Sequence, residues 1–179
     1  LPRWHYAVLV GYDLAAREVV LRSGTIEREV MGLALFERTW ARGAHWAFVA
    51  LPPGRLPVSA TEVDAVQAAI AFERVATPAQ AQRAYDSLVV RWPGNALAGL
   101  GQGNTRFAGG DLAGAASAFE RVALQHDSAA AWHNLGVVRW RLGQADAARR
   151  AADRARSRAR EAEPAWRDVL QRAFMANGE

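Results

Sequence analysis

Four histidines are the side chains of this sequence that titrate near neutral pH, and they are its first candidates for chemistry: His5, His45, His126 and His133. The chain contains no cysteine, which excludes a thiolate nucleophile, a disulfide and a zinc–thiolate site. No two histidines have metal-ligand spacing on a helix, and no carboxylate pairs with them by sequence. We therefore expect no metal and no cofactor. His45 is expected to pack beside Trp46, His126 to lie in a surface turn and His133 to follow Trp132 on a helix, so these three are poor candidates for chemistry.

The basic residues of the chain, histidine apart, are all arginine. The formal net charge is +4, and all 22 basic residues are arginine. An arginine-rich run between residues 149 and 160 could contact nucleic acid or form a solvated helix face, and we favour the solvated face. We therefore expect no nucleic-acid partner. No apolar run reaches the length of a membrane span. The sequence has no initiator Met and no signal peptide, so Leu1 is expected to begin a fragment.

The elements that would position His5 lie in the segment before the first repeat, from Leu1 to Pro57. Apolar, β-branched runs predict strands over residues 5–12, 18–22 and 25–30. Residues 33–42 predict a short helix, which Gly43 ends, and residues 45–51 predict a further, buried strand. The short connections predict an antiparallel β-β-β-α-β segment.

Residues 4–11, Trp-His-Tyr-Ala-Val-Leu-Val-Gly, resemble a phrase of the form His-[Phe/Tyr]-x-Val-x-x-Gly in papain-like cysteine peptidases of the bacteriocin-processing type. The resemblance implies that the segment corresponds to the C-terminal half of that domain. His5 would then be the catalytic base, provided that the full-length protein has a Cys upstream of Leu1. The acid that orients the His in that family is absent, because the following strand ends in Leu21-Arg22-Ser23-Gly24. The alternative interpretation is that His5 has no catalytic role and only lies at the edge of a strand. The resemblance also implies a bacterial envelope or periplasmic location.

Small and large residues recur at a fixed stride through the rest of the chain. Ala69, Gly103 and Gly136 follow one another at nearly equal steps. A second series with the same steps consists of Ala81, Ala115 and Ala148. The residues four positions after these are Tyr85, Phe119 and Ala152. This pattern resembles the tetratricopeptide repeat (TPR), whose helical hairpins stack on one another. The first repeat has Ala65 and Ala69 in place of Trp and Gly.

The resemblance predicts a mainly α fold. We expect a TPR superhelix of about three helical hairpins with a C-terminal capping helix over residues 164–175, preceded by the small antiparallel β-sheet segment with one short helix. Residues 1–57 are predicted to form the β-rich segment and residues 58–179 the repeat array. Thr61, the Thr77-Pro78 pair and Asp111 are predicted to begin helices.

The first helices of TPR hairpins line the concave side of the array, and the resemblance implies that ligand contacts come from them. The predicted groove residues are Leu100, Asn104, Phe107, His133, Asn134, Val137, Trp140 and Arg141. Outside this central set, the first hairpin would add Val66, Ile70, Glu73 and Arg74. An aromatic and apolar groove with a few amides suits an extended or helical peptide. The other reading is that Phe107 and Trp140 pack against a neighbouring domain or repeat.

Three functional hypotheses follow. The first, which we favour, is a protein–protein interaction module that binds a peptide or partner and catalyses nothing by itself. The second is the C-terminal part of a papain-like cysteine peptidase. The third is a basic nucleic-acid binder, which a strong salt dependence of DNA binding would favour. An exposed apolar face on the β-rich segment would also allow a homodimer.

Overall fold

The computed structural model describes residues 6–161 and confirms a mainly helical chain with a small antiparallel sheet at its N-terminal end. The chain divides into two compact units, Leu1–Ala50 and Leu51–Glu179. His5 and the capping helix predicted over residues 164–175 lie outside the described residues.

The first unit is a three-stranded antiparallel sheet followed by a short helix. Its strands are β1 (Ala7–Asp13), β2 (Glu18–Ser23) and β3 (Ile26–Gly32), in the order β1-β2-β3, and its helix is α1 (Leu33–Ala41). Asp13 begins the first turn, since its Oδ1 accepts hydrogen bonds from the amides of Ala15 and Ala16, each at 2.9 Å. The core of this unit is small: Val19 and Leu21 on the central strand are its buried apolar residues among those described.

The further strand predicted over residues 45–51 is wrong. The chain turns at Ala44 and His45, which both have positive φ, and residues 46–50 form no strand. The Trp40 indole N–H donates to the carbonyl oxygen of Trp46 at 2.8 Å, while Phe48 is exposed. An apolar run forms a strand only where a partner strand can accept its backbone hydrogen bonds, and this run pairs with none in the described part of the chain.

The second unit contains three helical hairpins in its described residues. They are α2 (Glu62–Glu73) with α3 (Pro78–Arg91), α4 (Ala96–Ala108) with α5 (Leu112–His126), and α6 (Ala129–Arg141) with α7 (Ala145–Glu161). The predicted helix starts are confirmed. Thr61 Oγ1 accepts from the amide of Asp64 at 3.2 Å, and Thr77 forms a capping box with Gln80. Asp111 Oδ1 accepts from the amide of Gly114 at 2.8 Å.

Three glycines inside α4 are the points at which its neighbours pack closest. A Cβ at Gly101 would overlap the Tyr85 ring of α3. A Cβ at Gly103 would overlap the Phe119 ring of α5, and one at Gly99 would overlap Val122. Glycine is unfavourable inside a helix, but here it allows two large buried side chains to lie against the helix backbone.

The third hairpin meets the same requirement with small residues on both sides. A Cβ at Gly136 would lie 3.4 Å from the carbonyl oxygen of Ala148 and 3.5 Å from the amide nitrogen of Ala152. The two backbones therefore approach directly, without an intervening ring. The large–small spacing in the sequence thus corresponds to two packing solutions, ring against glycine and backbone against backbone.

Candidate functional site

Two asparagines join the first helices of neighbouring hairpins. Asn104 lies on α4 and Asn134 on α6, and the Asn134 Nδ2 donates to the Asn104 Oδ1 at 3.4 Å. Asn104 is exposed and Asn134 is half-buried. Each amide keeps further donor and acceptor capacity after this one hydrogen bond.

An aromatic and cationic contact lies on the same two helices. The Arg141 guanidinium carbon lies 5.6 Å from the centroid of the Phe107 ring, within the range of a cation–π interaction. Phe107 is half-buried and also packs against the cluster that contains Phe119 and Leu135. Phe107 therefore packs against the neighbouring hairpin, as the packing reading expects, and also borders exposed Arg141, while its part in ligand binding stays a prediction.

Trp140 is the large apolar side chain on α6 that remains open to solvent, with 63% of its surface exposed. Val137 is half-buried. Together with the residues above they define what we call the α4/α6 surface, which consists of Asn104, Phe107, Asn134, Val137, Trp140 and Arg141. The packing alternative for Trp140 finds no support among the described residues of the helical unit.

Other predicted groove residues lie deeper in the helical unit. Leu100 packs against two buried clusters, one around Phe119 and one around Val122, so its side chain faces the interior and not the α4/α6 surface. In the first hairpin Val66 is buried in the core with only 4% exposed, so the prediction that it contributes to a groove is wrong. Glu73 accepts a hydrogen bond from the Tyr85 hydroxyl at 2.6 Å.

His133 also lies on α6, and it is half-buried. Burial lowers the pKa of His133 below its ordinary value of 6.5. The ring is therefore neutral at neutral pH, and its contact with a peptide stays a prediction. Among residues 6–161 no group of three or more His, Asp or Glu side chains could hold a metal ion.

Two arginine clamps, which the sequence analysis missed, fix the first helices against the preceding hairpins. Arg106 of α4 pairs with Asp86 of α3 at 3.3 Å and with Asp111, the N-cap of α5, at 3.0 Å. Arg139 of α6 pairs with Glu120 of α5 at 3.0 Å and donates to Gln144 at 2.7 Å. Arg139 follows Arg106, and Glu120 follows Asp86, by about one repeat. The repeat spacing therefore predicts the second arginine–acid pair from the first.

A third cluster holds the last hairpin together. Asp127, at the end of α5, accepts a hydrogen bond from the Trp132 indole at 2.9 Å and pairs with Arg158 of α7 at 2.6 Å. The Trp132 hydrogen bond and then the Arg158 guanidinium hold the pKa of Asp127 below its usual range. Arg154 lies over the Trp132 ring at 5.9 Å. Part of the arginine-rich run on α7 is thus engaged within the hairpin.

The helical unit is an array of stacked hairpins, and the Asn104–Asn134 and Phe107–Arg141 contacts join the first helices of two of them. Solved structures that resemble this chain are TPR-type proteins. MamA is 21% identical with a TM-score of 0.51, and the match covers 54% of this chain and 57% of MamA. The translocator chaperone SycD of Yersinia enterocolitica is 16% identical with a TM-score of 0.59, over 67% of this chain and 92% of SycD.

A third similar structure is the first TPR of Spaghetti (RPAP3) bound to the HSP90 peptide SRMEEVD. It is 14% identical with a TM-score of 0.52, over 66% of this chain and 94% of the other. The helical unit therefore has the TPR fold. The match with MamA spans little more than half of that protein. No protein-family model matches the sequence, and no curated protein matches it.

The comparisons give no support to the peptidase resemblance. With His5 outside the described residues, its catalytic role stays a prediction. None of the described helices is both long enough and apolar enough to cross a bilayer.

Proposed function

We propose that this chain is a protein-interaction module that binds a peptide segment of a partner protein on the α4/α6 surface. The observation that carries the proposal is exposed Trp140, next to Arg141 in α6, together with the Phe107–Arg141 contact and the Asn104–Asn134 pair. Tryptophan and arginine are the side chains enriched at the energetic centres of interfaces. The SRMEEVD complex supports the proposal, because it places a peptide on a protein of the same fold.

Each part of the surface would have a separate role. The amides of Asn104 and Asn134 would bind the peptide backbone and so hold an extended segment. Trp140 would cover an apolar side chain of the peptide. The Arg141 guanidinium would donate hydrogen bonds to the peptide and so select for an acidic or carbonyl-rich position in it. The chain has no lysine that could take this role. This arrangement uses backbone contacts for affinity and side-chain contacts for selectivity.

A displayed library of random peptides, selected against the whole chain, tests the proposal. Peptides recovered on the native chain would be synthesised and their affinities measured by fluorescence anisotropy. We expect Trp140→Ala to weaken binding at least about 30-fold, the effect of losing an interface anchor worth about 2 kcal/mol. Leu124→Ala is the matched control, because Leu124 is a large apolar residue with 70% exposure that lies on α5 rather than on α4 or α6.

Equal losses in the two variants, or no loss in Trp140→Ala, would show that the peptides bind elsewhere. Circular dichroism of both variants would check that their helical content equals that of the native chain. The bacterial envelope or periplasmic location implied by the peptidase resemblance stays a prediction.

A further inference from the structure

The outer edge of β1 is uncharged as far as Tyr12 and largely exposed. Within the described residues β1 pairs only with β2, so its other edge presents backbone N–H and C=O groups without partner strands. Val8, Leu9 and Val10 are 63%, 50% and 51% exposed. Proteins usually protect such an edge with charged residues or proline, and residues 6–12 contain neither.

The opposite edge of the same sheet is protected. β3 carries Glu27, Arg28 and Glu29 in succession. Charges along an edge strand oppose pairing with another strand. The sheet therefore offers one edge for association and not the other.

The sequence of the open edge reads almost identically in both directions. Residues 6–12 are Tyr-Ala-Val-Leu-Val-Gly-Tyr, and the reversed order differs only by exchanging Ala7 and Gly11. Pairing with a foreign strand does not require such symmetry. Antiparallel pairing of two identical strands about a two-fold axis does favour it, because each residue before the centre faces a residue at the same distance after the centre.

We propose that two copies of this chain associate by pairing their β1 strands antiparallel about a two-fold axis at Leu9. Leu9 then faces Leu9 of the partner subunit, and Val8 faces Val10 of the partner subunit. Cross-strand pairs of large apolar side chains stabilise antiparallel sheets. The extra residue of the β1 bulge is Val10, which lies between the Leu9–Leu21 and Gly11–Val20 pairs, so the Leu9–Leu9 pair at the axis defines the proposed register.

This association is independent of the α4/α6 surface and gives each assembly two repeat arrays. A partner protein that displays its peptide more than once would then bind both arrays, and its overall affinity would exceed that of a single site. Failure of the peptide-binding experiment would leave the β1 pairing unaffected.

Because the native chain has no cysteine, a single introduced thiol reports the register directly. Residues directly opposite in an antiparallel pair have Cα atoms about 4.5–5.5 Å apart, within the range that a disulfide spans. We expect most of the Leu9→Cys protein to become a disulfide-linked dimer under mild oxidation. Leu14→Cys, at an exposed turn residue, is the control and should remain largely monomeric on a non-reducing gel.

Charge substitutions at the facing valines give a second measurement. In the double variant Val8→Lys, Val10→Lys, ammonium groups face each other at both symmetry-related pairs, so dimer affinity should fall at least about 100-fold. In Val8→Lys, Val10→Glu an ammonium faces a carboxylate at the same positions, and dimerisation should be retained. Light scattering of the full chain at matched concentrations measures both.

A native chain that is monomeric at about 100 µM, where a pairing with a Kd in the micromolar range would be saturated, overturns the proposal. So does equal cross-linking of the two cysteine variants, or equal dimerisation of the two charge variants. Circular dichroism confirms that each variant is folded. Recovery of a foreign strand on β1 with no self-association would assign the edge to another protein and also refute the pairing.

Discussion

Gly103→Ala should destabilise the helical unit, although the same change inside an ordinary helix is stabilising. Alanine is favoured over glycine by about 1 kcal/mol in a helix interior. At Gly103, however, the added methyl group would lie 2.6 Å from Cδ1 and 2.7 Å from Cζ of Phe119. Ordinary carbon–carbon contacts need about 3.5–4.0 Å, so the ring would have to move by about 1 Å.

The surroundings of Phe119 leave the ring no space to move. Phe119 is only 2% exposed and packs among Ala115, Leu135 and Val138. Overpacking of such a site costs about 1–3 kcal/mol and occasionally more. With the favourable helix term already included, we expect the free energy of unfolding to fall by about 2 kcal/mol.

Phe119→Val provides the background that separates the two effects. Valine removes the ring atoms that the new methyl group would meet, so in this background Gly103→Ala should be neutral or stabilise by up to about 1 kcal/mol. Urea unfolding followed by circular dichroism at equal protein concentration gives the four free energies of the cycle. If Gly103→Ala has the same sign in both backgrounds, or stabilises the native chain, the close-packing argument is refuted.

Three further predictions concern polar contacts. Arg139→Met should lower the free energy of unfolding by about 1 kcal/mol, since Glu120 loses its partly exposed ion pair; in a Glu120→Gln background the loss measured in urea should be smaller. Asp127 has a lowered pKa in the folded state, so its stabilisation is present above the unfolded-state pKa of about 3.9 and is lost as pH falls through the folded value. Asp127→Asn should therefore show a weaker loss of thermal stability between neutral pH and pH 3. His133 also has a lowered pKa, so the unfolded state binds more protons below pH 6.5, and stability should fall with decreasing pH there. His133→Gln should reduce this slope in thermal unfolding between pH 7.5 and 5.5, and the His133 ring, followed by NMR, should titrate below 6.5.

The repeat array could be predicted from the sequence because its packing depends on pairs at a fixed spacing. Gly103 and Phe119 lie about half a repeat apart and meet across one hairpin, and Gly136 and Ala152 have the same separation in the next hairpin. The clamps of Arg106 and Arg139 follow the repeat stride and could have been found by aligning charged positions as well as small ones. Both signals are local, because the same geometry is repeated from hairpin to hairpin.

The exposure of single groove residues could not be predicted in the same way. Leu100 and Trp140 were assigned to one surface from their place in the repeat, yet Leu100 packs inward and Trp140 is exposed. Which face of a first helix is covered depends on the neighbouring hairpin, which the sequence of one helix does not describe. Residues 45–51 failed for a related reason, because their apolar pattern contains no information about whether a partner strand is present.

The arginine clamps have a consequence for how this scaffold can change length. The segment from Asn95 to Asp127 begins at one N-cap, contains one clamping arginine at Arg106, and ends after one acid at Glu120. A tandem duplication of that segment would supply each new arginine with the acid of the copy before it. The arginine–acid pairs would therefore be retained if the array grew by gene duplication or were extended by design.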